Sequence, residues 1–145
     1  MLSESARMNS AAEAQFRVPA ASQSRAVAIV AMDAQSEPVV AQLASRSWNQ
    51  ATFLNASAPN LLDHIGSADL VVMVATPGTE VPAASAIGAA CSARRVVTTA
   101  LVTDAESASE EALSSTLAQL RPWSLMVVVA NADQYVEDVL SALRA

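Results

Sequence analysis

Six consecutive apolar residues, Leu70 to Ala75, are approached through Ser67-Ala68-Asp69 and stop at Thr76-Pro77-Gly78-Thr79. A run this short, closed by turn residues, is how a strand buried on both faces reads. Such a strand has no polar side to turn to water, so helices must cover it above and below. In open α/β sheets, ligands gather just beyond the carboxyl ends of the strands. The loop Thr76 to Glu80 is therefore the first place to expect a site.

The rest of the chain supplies four more strands and their helices. Arg25 to Met32 reads as the first strand and Ala51 to Asn55 as a short second one near a sheet edge. Val96 to Val102, rich in β-branched residues, is the fourth, and Ser124 to Ala130 the fifth. Between them lie helical patterns. Ser36 is placed to cap the first helix, with Glu37 and Pro38 in its first turn and a stripe of Val39, Val40, Leu43 and Ala44; Trp48 and Asn49 close it. Leu61, Leu62 and Ile65 make a short second helix ending at Gly66. Thr79 is placed to cap a third, Val81 to Arg95, built almost wholly from small residues and ending in two arginines, which suit the helix dipole. Ser107 and Glu110 match a capping box ahead of Leu113, Leu117 and Leu120. The last helix starts at Asn131-Ala132-Asp133, buries Val136, Val139, Leu140 and Leu143, and carries Arg144 in its final turn.

This alternation predicts one three-layer, doubly wound α/β domain over 25–145 with a five-stranded, mainly parallel sheet. Both a flavodoxin-like order, 2-1-3-4-5, and a Rossmann-like order, 3-2-1-4-5, are open. Residues 1–24 show no sustained apolar periodicity and read as a disordered tail. They lack the apolar centre of a secretory signal, and Glu4 and Glu13 do not suit a mitochondrial presequence.

Composition removes several chemistries. The chain has 145 residues and a net charge of -6. Its eight basic residues are all Arg and mostly scattered, so no basic patch for nucleic acid is expected. The absence of Lys removes a Schiff-base lysine and the phosphate-loop lysine. One Cys and one His exclude an internal disulfide and a Cys/His metal cluster. Adjacent residues on a helix do not face one another, so His64 and Asp63 are poorly placed as an acid–base pair, and His64 reads as a surface or partly packed residue. Cys91 lies late in a helix of small residues and reads as a buried, inert thiol. With three glycines, Gly66, Gly78 and Gly88, neither the dinucleotide fingerprint nor the phosphate-loop motif is present. A two-component receiver is excluded as well, because Thr76 stands where its phosphoacceptor would be and no Lys follows the fifth strand. No run is long enough for a membrane span.

What remains is the set of strand ends: Asp33 and Ser36, Asn55, Thr76, Gly78, Thr79 and Glu80, Asp104, then Asn131 and Asp133. This rim is polar and acidic. It suits a cation, a hydroxyl-rich ligand or a partner protein, although helix caps alone call for the same residue types.

From Ala68 onward the chain also resembles the nucleotide-binding core of the tubulin/FtsZ family. The likeness rests on Ala68-Asp69-Leu70-Val71, then Thr76-Pro77-Gly78-Thr79, the small-residue helix Ala83 to Ala90, the strand Val96 to Thr103, and Asn131-Ala132-Asp133. The family's Gly-rich signature loop is reduced here to Gly78 and two threonines, and its first Gly-rich turn has no counterpart. The resemblance implies a degenerate nucleotide site.

Taken together, the residues favour a non-enzymatic, cytoplasmic α/β domain that binds a small ligand or a partner protein at the carboxyl-end rim, with no cofactor required by the sequence. The alternative is a nucleotide- or Mg²⁺-binding domain using Asp33, Glu80, Asp104 and Asp133 as oxygen ligands. Self-association through the helix at 81–95 is a third expectation.

Overall fold

The run Leu70–Ala75 is strand β3, buried at every position and central to the sheet. The computed structural model of the chain describes residues 26–48, 50–130 and 133–143, with the backbone alone at 133–135. The expected tail at 1–24, and the expectations placed on Arg25, Asn49, Asn131 and Arg144, lie outside the described residues.

The strands are β1 (Val27–Ala31), β2 (Ala51–Asn55), β3, β4 (Val97–Val102) and β5 (Met126–Val129). The helices are α1 (Glu37–Ala44), α2 (Leu61–Gly66), α3 (Ala83–Arg94), α4 (Glu110–Leu120) and α5 (Asp133–Ala142). All strand pairs are parallel and the order is β2-β1-β3-β4-β5, the flavodoxin-like one. β1 and β3 pair in register from Val27 with Leu70 to Ala31 with Val74.

Strand alternation divides the core in two. Val30, Met73, Ala100 and Val102 face α2, α3 and α4, meeting Ile65, Ile87, Cys91 and Leu120. Ile29, Val72, Val74 and Leu101 face α1 and α5, meeting Val40, Leu43, Val136 and Leu140. Helices therefore cover both faces, and β1 and β3 show the continuous apolar run of strands buried on both sides. Among the described residues, no helix is long and apolar enough to cross a membrane.

Local details differ from the sequence expectations where tertiary partners intervene. Ser36 makes no side-chain cap on α1. Its side chain is wholly buried and its hydroxyl donates to Asp33 instead. Thr79 does not cap α3, which starts at Ala83. The capping box is displaced: Ser107 sits in a 3-10 turn, and Ser109 caps α4 by accepting the Ala112 N–H at 3.1 Å. Ala44 and Leu62 face water, so the stripes of α1 and α2 are narrower than expected.

The small residues of α3 have a clear use at Gly88. A side chain there would bring its Cβ to 2.5 Å from the Trp123 Cβ, so glycine is what lets the indole lie against the helix.

Candidate functional site

The order 2-1-3-4-5 puts the topological switch between β1 and β3, where one connection leaves leftward and the other rightward. A crevice opens at such a point in doubly wound sheets. In this chain that crevice is filled by the chain itself.

The carboxylate of Asp33, one residue beyond Met32, lies between the two strand ends. Its Oδ1 accepts the N–H and the hydroxyl of Ser36, both at 2.7 Å. Its Oδ2 accepts the N–H of Thr76 at 2.9 Å and the Thr79 hydroxyl at 2.7 Å. The Thr76 hydroxyl lies 3.2 Å from each oxygen. Partial burial raises the pKa of Asp33, but the bonds from Thr76, Thr79 and Ser36 outweigh it, so its pKa falls below the ordinary value. Asp33 is thus an ionised acceptor with every lone-pair direction used, not a carboxylate waiting for a ligand.

The loop after β3 is fastened a second time, from α4. Gly78, at φ +88°, donates its N–H to the Thr116 hydroxyl at 2.9 Å. Val81 donates to Gln119 Oε1 at 2.9 Å. Thr116 is buried. Neither Thr116 nor Gln119 was among the rim residues. The available signal was Thr116 itself, a polar residue on the apolar stripe between Leu113 and Leu120, since a buried hydroxyl needs a partner.

The structure therefore brings Asp33, Ser36, Thr76 and Thr79 into one hydrogen-bonded cluster, with Gly78 tied just outside it. Glu80 is exposed. Asp104 is exposed in the left-handed region at φ 57° and leads into the 3-10 turn. Asn55 accepts the Ser57 N–H at 2.9 Å and shapes the turn after β2. Asn131 lies outside the described residues; Asp133 opens α5, and its side chain is not described. Among the described residues, no three His, Cys, Asp or Glu side chains are grouped to hold a metal ion. Of the expected Mg²⁺ ligands Asp33, Glu80, Asp104 and Asp133, the first three form no such group, and the Asp133 side chain lies outside the described residues.

Two other candidates stay structural. Cys91 is buried, and burial pushes its thiol pKa up despite a hydrogen bond with Thr98, so it is held as a neutral thiol. His64 is exposed on α2.

Beside the closed cluster, the carboxyl end of the sheet carries an open groove between α1 and β2. Its volume is about 560 Å³. Ala31, Val40, Ala41, Phe53 and Leu54 make its apolar lining, and Glu37 and Asn55 add polar groups. Of these, the rim anticipated only Asn55. Glu37 and Phe53 come from separate elements, and nothing in their spacing connects them.

Compared with known proteins, the chain matches no protein-family model, and no curated protein shows significant similarity to it.

Proposed function

We propose that this protein is a non-enzymatic binding domain whose ligand occupies the groove between α1 and β2. The observation that carries this reading is the self-satisfied Asp33 cluster. With the switch-point acceptor groups engaged, the neighbouring groove offers a concave surface at this end with polar groups beside an apolar lining. Its volume lies in the range of small-molecule sites, about 300–1,000 Å³.

The lining defines a ligand class. Ala41, Phe53 and Leu54 suit an apolar body, while Glu37 and Asn55 suit a cationic or hydroxyl-bearing end. A small aryl-alkyl amine meets both requirements. Among the described residues lining the groove, none is a Ser, Thr, Cys, His or Lys that could act as a nucleophile.

The test is an amide NMR titration with phenethylamine, with its carboxylate counterpart, and with GTP, ATP and NAD, each in the presence of Mg²⁺. Saturable shifts at Ala34, Ala41 and Phe53 to Asn55 with the amine alone are expected. Glu37→Gln then weakens the amine and leaves the shifts of Ala41 small. If the amine moves none of these amides at millimolar concentration, the groove reading fails. Saturable shifts at Asp33, Thr76, Gly78 and Thr79 with a nucleotide would instead favour the degenerate tubulin/FtsZ-like site.

A further inference from the structure

The two polar groups of the α1–β2 groove are not interchangeable, and the hydrogen bonds behind them set how each is used. Asn55 ends β2, and its side-chain Oδ1 accepts the Ser57 N–H at 2.9 Å. An amide that turns its oxygen to the backbone turns its nitrogen away from it. Among the described residues, no acceptor meets that nitrogen. Alternation along β2 puts Phe53 and Asn55 on one face of the sheet. Phe53 packs on the α1 side with Val40 and Leu43. Asn55 therefore stands on the α1 side too, where it lines the groove with N–H donors while its oxygen serves the turn.

Glu37 is the opposite kind of group, since an ionised carboxylate only accepts. It opens α1 directly after Ser36. Ser36 is wholly buried and held to Asp33 by two bonds of 2.7 Å. The Asp33 clasp thus fixes the part of the groove wall that carries Glu37, and the Ser57 bond fixes Asn55. Both stand at the carboxyl end of the sheet, Glu37 at the start of α1 and Asn55 at the end of β2. Ala41 and Ala44 follow Glu37 at helical spacing on the same face, so the apolar part of the groove runs away from that end.

We propose that Asn55 sets the specificity of this groove, and that its ligand carries an oxygen acceptor beside its ammonium group. This rests on the groove reading above and narrows its ligand class. The ammonium donates to Glu37, the oxygen accepts from Asn55 Nδ2, and the aryl body lies along Ala41, Ala44 and Phe53. The class is an arylethylamine with an ether or hydroxyl oxygen on the carbon next to the one bearing nitrogen. An amine without that oxygen leaves the Asn55 donors to water.

The test compares phenethylamine, β-methoxyphenethylamine and β-ethylphenethylamine by amide NMR titration. The ethyl compound replaces the ether oxygen by a methylene of nearly the same size. The ether should bind roughly two- to tenfold more tightly than this isostere, the effect of one added hydrogen bond, and should move the Asn55 side-chain NH2 resonances downfield. Asn55→Asp keeps an acceptor for the Ser57 N–H and loses both donors. It should leave hydrogen exchange at Ser57 unchanged and cancel or reverse the advantage of the ether. If phenethylamine binds and the ether does no better than its isostere, this inference fails while the groove reading stands. If the advantage of the ether survives in Asn55→Asp, Asn55 does not set it and the inference fails likewise. If none of the three amines binds at millimolar concentration, both readings fall together.

Discussion

The carboxylate of Asp33 accepts the backbone N–H of Thr76 at 2.9 Å, joining the loops that leave β1 and β3. This bond stands at the point where α/β folds usually leave room for a ligand. Two threonines and a serine complete the shell around the same carboxylate, so the position is better described as a clasp than as a pocket.

Asp33→Asn tests the clasp. The amide keeps one acceptor but turns a second donor toward the Thr76 N–H and the Thr79 hydroxyl. Leaving such donors unpaired costs roughly 1–3 kcal/mol, read as a lower urea midpoint with the slope unchanged.

The same residue predicts a pH effect. Its pKa is lower folded than unfolded, so ionised Asp33 stabilises the fold fully above the unfolded value of about 3.8, and that contribution is lost as pH falls through the folded value. Urea midpoints should therefore drop on acidification from neutral pH to below the ordinary aspartate range. The drop should be smaller in Asp33→Asn. An identical loss in both proteins would mean that other carboxylates carry the acid sensitivity.

Thr116→Val preserves shape and removes the hydroxyl that accepts the Gly78 N–H. The expected loss is about 1–3 kcal/mol, with faster hydrogen exchange at Gly78. Thr116→Ser should restore slow exchange at Gly78, because it restores the acceptor.

Two glycines should fail for different reasons. At Gly78 a Cβ would meet only the Ala112 Cβ at 3.5 Å, an ordinary contact, so Gly78→Ala pays for its left-handed backbone alone, roughly 1–2 kcal/mol. At Gly88 the backbone is helical and the obstacle is Trp123, so Gly88→Ala should cost about 1–3 kcal/mol by overpacking. Tryptophan emission separates them: it should shift in Gly88→Ala and stay unchanged in Gly78→Ala.

The ion pair between Arg46 and Glu137, at 3.1 Å, links the end of α1 to α5 with both side chains substantially exposed. Pairs of this kind contribute little. Arg46→Ala should change stability by less than about 0.5 kcal/mol, measured by urea unfolding at two salt concentrations.

β3 was legible to the residue because its boundaries are written locally, in an apolar run and a turn. β2 was legible as an edge strand because Thr52 and Asn55 break its apolar character. The caps were less so. Ser36 and Ser107 have the chemistry of capping residues, but Asp33 and a 3-10 turn claimed them. Asp33, Thr76 and Thr79 were each recognisable as polar rim residues. Their convergence was not, because it depends on β1 lying beside β3, and strand order is not encoded in any local pattern. The α1–β2 groove was hidden for the same reason, since Glu37 and Phe53 meet only after the sheet has formed.

The placement of β1 has a kinetic consequence. It is the first of the described strands in sequence, yet its neighbours are β2 and β3, and the clasp at its end joins residues 43 positions apart. On a ribosome, β1 would emerge with neither partner made, and it could not be closed in until Thr76 had followed it out of the exit tunnel. Long-range parallel pairings of this kind delay the folding barrier's crossing and lengthen the interval in which an apolar strand is uncovered. The segment Val27–Ala31 should therefore be where a nascent chain of this protein first calls on a chaperone.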